Sequence, residues 1–192
     1  MTTQAAVRRM VERFDRGIEA VLRWDEETLW AISEHPWLKR LSRVFVLATY
    51  MGDGYLWGAL SLGIILFGRS IDRSYLLVGL GISIVNITIF RLFKVLFSRP
   101  RPFLVPVSLR SRFVDVYSFP SGHTTISFGV AWVLGGFYQL AWVQVVAYLA
   151  AITIGVSRIF MKEHYPLDVI CGAVLGSLIA AYLMPIFAGV LL

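Results

Sequence analysis

The stretch Ser118-Phe119-Pro120-Ser121-Gly122-His123 is a polar turn that opens an apolar helix. Three other polar clusters bound apolar segments in the same way: the basic run 94–102, the pair Ser157-Arg158 and the run 164–168. If the apolar segments cross a membrane as helices, all the ends that carry these clusters lie on one face of the bilayer. The sequence therefore predicts that cations and imidazoles converge in one anion-binding site.

The composition indicates a membrane protein. Hydrophobic residues make up 57% of the 192 residues, which is more than a soluble core of this length can bury. The net charge of +6 lies mostly between apolar runs and not on one continuous face. We therefore expect anionic lipid headgroups, and not nucleic acid, as the partner of the basic residues. The predicted location is the cell membrane.

The apolar runs predict an all-α, polytopic membrane helix bundle. A helix needs about 20 predominantly apolar residues to cross the hydrocarbon, and residues 41–192 contain five such segments, which form the predicted transmembrane domain. These segments are residues 44–67, 74–97, 121–137, 142–159 and 167–192.

Residues 1–40 form a separate, amphipathic segment. Apolar residues recur at helical spacing while arginines occupy the other faces, and the acids at 25–27 indicate a second helix start. Each charge at mid-membrane costs a few kcal/mol, so we expect this segment to lie in the membrane interface. Two alternatives stay open: packing against the protein itself or a second subunit, and a sixth spanning helix.

Gly52-Asp53-Gly54 interrupts the first predicted span. An acid at membrane depth is by default a hypothesis of function. Flanking glycines alone, however, also indicate a local break near the interface. A direct role of Asp53 in the site is therefore one of two interpretations.

The converging residues fit phosphoryl transfer, in which charge spreads over the equatorial phosphate oxygens. Three cations, Lys94, Arg101 and Arg158, would bind those oxygens. The backbone amides of Ser121 and Gly122, at a helix N-terminus, would add an anion cradle. Because these groups already neutralise the transition state, we expect no metal and no cofactor.

Two histidines would divide the reaction between them. His164 is the predicted nucleophile, giving a phosphohistidine, and Asp168, four residues later, would fix its tautomer. His123 would protonate the leaving oxygen and then activate water. The third histidine, His35, lies in a charged region and is expected to be solvent-exposed.

These motifs resemble the three-part signature of the type 2 phosphatidic acid phosphatase superfamily, in order and in spacing over residues 94–168. In that family the residues matching Lys94, Arg101 and Arg158 bind phosphate, and the residue matching His164 is the nucleophile. Members of the membrane branch often have six spans, one more than the five counted here. The matching positions are Lys94, Arg101-Pro102, Pro120-Ser121-Gly122-His123, Ser157-Arg158, His164 and Asp168.

The resemblance implies an integral-membrane phosphatase acting on a lipid phosphate monoester or diphosphate. The candidate substrates are polyprenyl diphosphate, phosphatidic acid, phosphatidylglycerol phosphate and a phosphorylated glycolipid, and the sequence does not separate them. A lipid phosphotransferase using the same phosphohistidine and an anion-binding membrane transporter are the alternatives. Vanadate-dependent haloperoxidases share the site, but they are soluble, and the five apolar spans argue against that activity.

Two indications disagree about which side of the membrane the site faces. Without the three predicted phosphate ligands, twelve basic residues belong to the site's side and two, Arg69 and Arg73, to the opposite side. The positive-inside rule then places the site in the cytoplasm. Many members of the family that the motifs resemble work instead on the outer face.

Overall fold

The computed structural model describes residues 3–102 and 116–192, and every regular element in these ranges is helical. A π-helical segment, Met51–Tyr55, joins the third and fourth α-helices. In chain order the helices are α1 (Thr3–Ser33), α2 (Pro36–Arg40), α3 (Ser42–Tyr50), α4 (Leu56–Phe67), α5 (Ser70–Phe97), α6 (Gly122–Phe137), α7 (Ala141–Phe160) and α8 (Pro166–Leu191).

Within the described ranges, three helices are long and apolar enough to cross a membrane: α5, α7 and α8. The prediction of an all-α membrane protein is thus confirmed, whereas the count of five spans is not. The third predicted span, α6, has 16 residues and is only about 24 Å long. The remaining one is divided into α3 and α4 by the π-helical segment.

Local sequence signals set the helix ends near the predicted site. α5 ends at Phe97, because the capping residue Ser98 has a left-handed φ of 46° and Pro100 cannot continue a helix. α8 begins with Pro166 at its first position, and Asp168 accepts a hydrogen bond from the Tyr165 amide in a capping box. Both helices therefore have a polar turn at the ends that are predicted to lie on one face of the bilayer.

The backbones of α6 and α8 touch. A Cβ atom built on Gly176 would lie 2.0 Å from the Thr125 carbonyl oxygen, and one on Gly172 would lie 2.7 Å from the Ser121 carbonyl oxygen. Only glycine allows so close an approach of two backbones. The contact fixes the start of α8 against the start of α6.

α1 is a single helix from residue 3 to residue 33, so the predicted second helix start at Asp25 is wrong. Every side chain from residue 12 to residue 24 is exposed, but Asp25, Leu29 and Ser33 are buried. Their spacing of four residues places them on one helix face, which packs against α7 and α8. Of the alternatives for this segment, packing on the protein itself therefore holds for residues 25–33.

Candidate active site

A cavity of about 1240 Å³ opens between α3, α4, α5, α6 and α7. Along α5 it extends from Tyr75 to Lys94, a distance of about 28 Å for 19 helical residues. Apolar side chains of α4 and α6, such as Ile64 and Val133, line it beside α5. The predicted site residues that line it are Lys94, Arg101, Gly122, His123, Arg158 and His164.

The three predicted phosphate ligands converge in this cavity from three parts of the chain. Lys94 comes from the last turn of α5, Arg158 from the last turn of α7, and Arg101 from the loop after α5. Each is at most 9% exposed, and Lys94 Nζ donates a hydrogen bond to the Tyr117 carbonyl at 2.8 Å. Three buried cations in one place require anionic partners.

One such partner is Glu163, which the sequence analysis did not identify. Its carboxylate pairs with the Arg158 guanidinium and lies 3.3 Å from Arg101 Nη1, which also donates to the Glu163 carbonyl. Guanidinium groups bind carboxylate and phosphate oxygens with the same geometry. Glu163 therefore stands where substrate phosphate oxygens are expected. The available signal was an acid directly before His164 and five residues after Arg158.

The two amides that were predicted to form an anion cradle lie in different surroundings. The Ser121 amide donates to the Asp168 carbonyl at 3.0 Å, and the residue is fully buried behind the cavity wall. Because its amide is already bonded across to α8, the prediction that it binds phosphate does not fit this structure. Gly122 does line the cavity and remains the predicted contribution of the α6 N-terminus.

His164 is buried in the turn between α7 and α8, with 1% of its surface exposed. Its amide donates to the Arg158 carbonyl at 3.2 Å, which ties the histidine to a predicted phosphate ligand. Its Nδ1 lies 3.7 Å from Asp168 Oδ2, too far for a hydrogen bond but near enough to stabilise a positive ring. Nδ1 has no hydrogen-bond partner among the described residues. The structure thus places Asp168 beside His164 without the predicted hydrogen bond.

The environment of His164 keeps its ring neutral. Burial holds the pKa of the imidazole well below 6.5, and the positive charges of Arg101, Arg158 and Lys94 lower it further. A nucleophilic histidine must be unprotonated. The same cations that would bind phosphate therefore also keep the predicted nucleophile reactive at neutral pH.

A second arginine group, also missed as part of the site, lies behind His164. Arg99 Nη1 donates to Asp168 Oδ1 at 2.7 Å, and its Nη2 donates to Asp25 Oδ2 at 2.6 Å. Asp25 also accepts from the Leu167 amide at 2.7 Å, and both carboxylates are fully buried. The buried ion-pair chain Asp25–Arg99–Asp168 therefore connects α1 to the residue next to the predicted nucleophile.

His123, in the first turn of α6, lines the same cavity. Its side chain is 22% exposed, and its Nε2 lies 2.6 Å from Asp53 Oδ1. Both imidazoles predicted to act on phosphate thus border one cavity. The third histidine, His35, is exposed as expected and caps α2.

Comparisons with known proteins agree with this arrangement. An undecaprenyl-diphosphatase of Sulfolobus acidocaldarius is 28% identical over 156 residues, which cover 79% of this chain and 73% of that protein. The crystal structure of Aquifex aeolicus LpxE superposes with a TM-score of 0.61 at 26% identity, covering 83% of this chain and 93% of LpxE.

A PAP2-type phosphatidylglycerolphosphate phosphatase from Bacillus subtilis has the same fold, with a TM-score of 0.69 at 22% identity. The superposition covers 87% of this chain and 86% of the Bacillus protein. The family model described as the PAP2 superfamily matches residues 74–190, which include every predicted site residue and more than half of the chain. The chain therefore belongs to the PAP2 superfamily.

Proposed function

We infer that this protein is an integral-membrane lipid phosphatase that works at the cavity between α3 and α7. The expected lipid phosphate hydrolysis is confirmed by membership of the PAP2 superfamily and by relatives that are named phosphatases. One observation carries the assignment of the site: the buried imidazole of His164 borders the same cavity as Lys94, Arg101 and Arg158.

In the proposed first step, substrate phosphate displaces the Glu163 carboxylate from the two arginines. Nε2 of His164 then attacks phosphorus, since Nδ1 of that ring faces Asp168. The bond from phosphorus to the leaving oxygen breaks, and that oxygen takes a proton from protonated His123. The product is a phosphohistidine whose positive ring is stabilised by Asp168.

In the second step, water attacks the phosphohistidine while His123, now neutral, accepts a proton from it. The bond from Nε2 to phosphorus breaks, and inorganic phosphate leaves with the oxygen of water. Lys94, Arg101 and Arg158 stabilise the phosphoryl oxygens throughout. Both histidines return to their starting protonation states, so the cycle balances without a metal or cofactor.

The substrate class follows from the length and lining of the cavity. The apolar wall extends about 28 Å along α5 from the cationic end, and it would hold a long acyl or prenyl chain beside Ile64 and Val133. The relative from Sulfolobus acidocaldarius is an undecaprenyl-diphosphatase. We therefore place polyprenyl diphosphate first, ahead of phosphatidic acid, phosphatidylglycerol phosphate and a phosphorylated glycolipid.

For the topology, we propose that the α3–α4 pair and α6 also cross the cell membrane, which gives five crossings with α5, α7 and α8. The pair α3–α4 covers 26 residues including the π-helical segment, enough for the hydrocarbon. The exposed apolar side chains of α1, Phe14 and Ile18 among them, would lie in the interface. The excess of basic residues supports a cytoplasmic site.

A phosphate-release panel over the four candidate lipids, with purified protein in detergent or nanodiscs, tests the function and ranks the substrates. We expect release in plain buffer without an added acceptor, which a phosphotransferase would not give. Vanadate should inhibit and chelators should not. If wild-type protein released no phosphate from any of the four lipids, or if His164→Ala released it at the wild-type rate, the proposal would be wrong.

A further inference from the structure

Asp53 is a polar residue in the cavity to which the mechanism above assigns no task. It lies in the π-helical segment Met51–Tyr55, at the break between α3 and α4. Its Oδ1 is 2.6 Å from Nε2 of His123, and its side chain is 40% exposed. An acid within an apolar stretch of this kind is costly. The contact with His123, the proposed acid/base, is a functional reason for an acid at this position.

The segment around Asp53 is shaped to receive the His123 ring. A Cβ atom on Gly52 would lie 2.9 Å from His123 Cδ2 and 2.8 Å from the Ile154 side chain, so a side chain there would displace the ring. Gly54 has a φ of 111°, which favours glycine. The two glycines thus let the backbone pass directly under the ring and turn Asp53 towards Nε2.

These contacts hold one edge of the imidazole. Cδ2 and Nε2 face Gly52 and Asp53, and Nδ1 lies across the ring from both. The nitrogen on the other edge, Nδ1, is therefore the one that the proposal assigns to the leaving oxygen. We propose that Asp53 is a positioning residue for the acid/base histidine, fixing its tautomer with Nε2–H donated to the carboxylate.

The proposed role also has an electrostatic part. His123 must carry a proton when the leaving oxygen departs, yet Arg158 from α7 faces it with a positive charge. Glu163 and His164 face it from the turn between α7 and α8, and Asp53 faces it from the π-helical segment. Asp53 is the carboxylate in contact with the ring, and it stays there when substrate displaces Glu163 from the arginines. It stays ionised throughout and accepts no proton.

The inference rests on the proposed function, so its test needs wild-type protein that releases phosphate and a His164→Ala variant that does not. Given both, Asp53→Asn should lower kcat roughly 10- to 100-fold with little change in KM. The alkaline limb of the pH–rate profile should move to lower pH, because protonated His123 loses its counter-ion. Asp53→Glu should restore part of both effects.

The matched control is Asp72→Asn. Asp72 is a second acid in the apolar part of the chain, and it is hydrogen-bonded to Arg69 and to the Tyr138 hydroxyl. It lies on α5 22 residues before Lys94, about 33 Å along the helix. Its loss can lower stability but should leave the pH–rate profile unchanged.

A double-mutant cycle separates positioning from a structural role. In a His123→Ala background, Asp53→Asn should cost no further activity, because the group through which Asp53 acts is gone. Additive losses, or an Asp53→Asn variant with wild-type kcat and an unmoved alkaline limb, would overturn the proposal. If Asp53→Asn does not fold, Asp53→Glu takes its place in the same cycle.

Discussion

The two histidines of the site are held in contrasting ways. His164 is 1% exposed and backed by the chain Asp25–Arg99–Asp168, whose carboxylates are fully buried. His123 is 22% exposed and touches one carboxylate, Asp53, which is itself 40% exposed. A nucleophile needs a dry, fixed and neutral ring, whereas an acid/base must exchange protons with the leaving group and water. The surroundings of His164 thus suit the proposed nucleophile, and those of His123 suit the proposed acid/base.

Removing each imidazole in turn tests most directly whether the two histidines have different roles. His164→Ala should abolish turnover of every substrate, by roughly 10⁴-fold or more, because no phosphohistidine can form. Rapid-quench experiments with a ³²P-labelled substrate should detect labelled phosphohistidine in the wild-type protein and none in the variant. A substantial residual rate with that variant would assign the nucleophile to another group.

His123→Ala should instead depend on the leaving group. Loss of a general acid costs roughly 10²- to 10⁴-fold for a lipid monoester, whose alkoxide leaves poorly. For p-nitrophenyl phosphate, whose phenolate leaves without a proton, the first step should be nearly spared and labelled protein should accumulate. Equal losses for the two substrates would mean that His123 does not protonate the leaving group.

Asp25→Asn tests the support behind His164. It leaves Arg99 with one carboxylate in place of two, at a cost of roughly 1.5 to 3 kcal/mol for a hydrogen bond to a charged group. We expect a lower Tm in detergent and a reduced kcat. Asp15→Asn, a change at an exposed position of the same helix, should alter neither. Wild-type Tm for Asp25→Asn would mean that α1 does not stabilise the site.

Glu163→Gln removes the internal anion from between Arg101 and Arg158. Because vanadate and inorganic phosphate would no longer compete with a carboxylate, both should inhibit about tenfold more strongly, which corresponds to about 1.4 kcal/mol. Inhibition assays at fixed pH measure the change. Weaker inhibition would show that Glu163 helps to organise the arginines rather than competing for them.

Glu34→Gln should have the smallest effect. Hydrogen bonds from Lys162 and Lys39 lower the pKa of Glu34 from 4.5 to about 2, and Lys162 belongs to the turn that carries His164. A carboxyl group with a lowered folded-state pKa stabilises the fold above its unfolded value and loses that effect as the pH falls. The difference in Tm between variant and wild type should therefore be constant above pH 4.5 and narrow towards pH 2.

The sequence predicts which residues come together wherever motif spacing and helix direction decide their positions. Lys94, Arg158 and His164 lie at helix ends, and alternating helices bring those ends to one face whatever the packing details. Glu163 and the pair Asp25–Arg99 could not be predicted in the same way. Their contacts depend on side-chain directions and, for Asp25 and Arg99, join residues 74 positions apart.

The remaining differences have similar causes. An amphipathic pattern does not tell a helix at the membrane surface from one packed on its own protein, so the place of α1 had to come from the structure. The hydrogen bond from the Ser121 amide to the Asp168 carbonyl joins two helices, and no local sequence pattern predicts it.

The glycine contact between α6 and α8 indicates which parts of the cavity can change when the preference for a lipid tail changes. Gly176 and Gly172 leave no room for a side chain between these two helices, so the start of α6, which carries His123, and the start of α8 form a closely packed frame beside the proposed phosphate site. The α3–α4 side, by contrast, meets the cavity through a kinked segment and exposed apolar side chains. Exchanging that wall while keeping the frame is therefore the economical route to a new lipid tail preference.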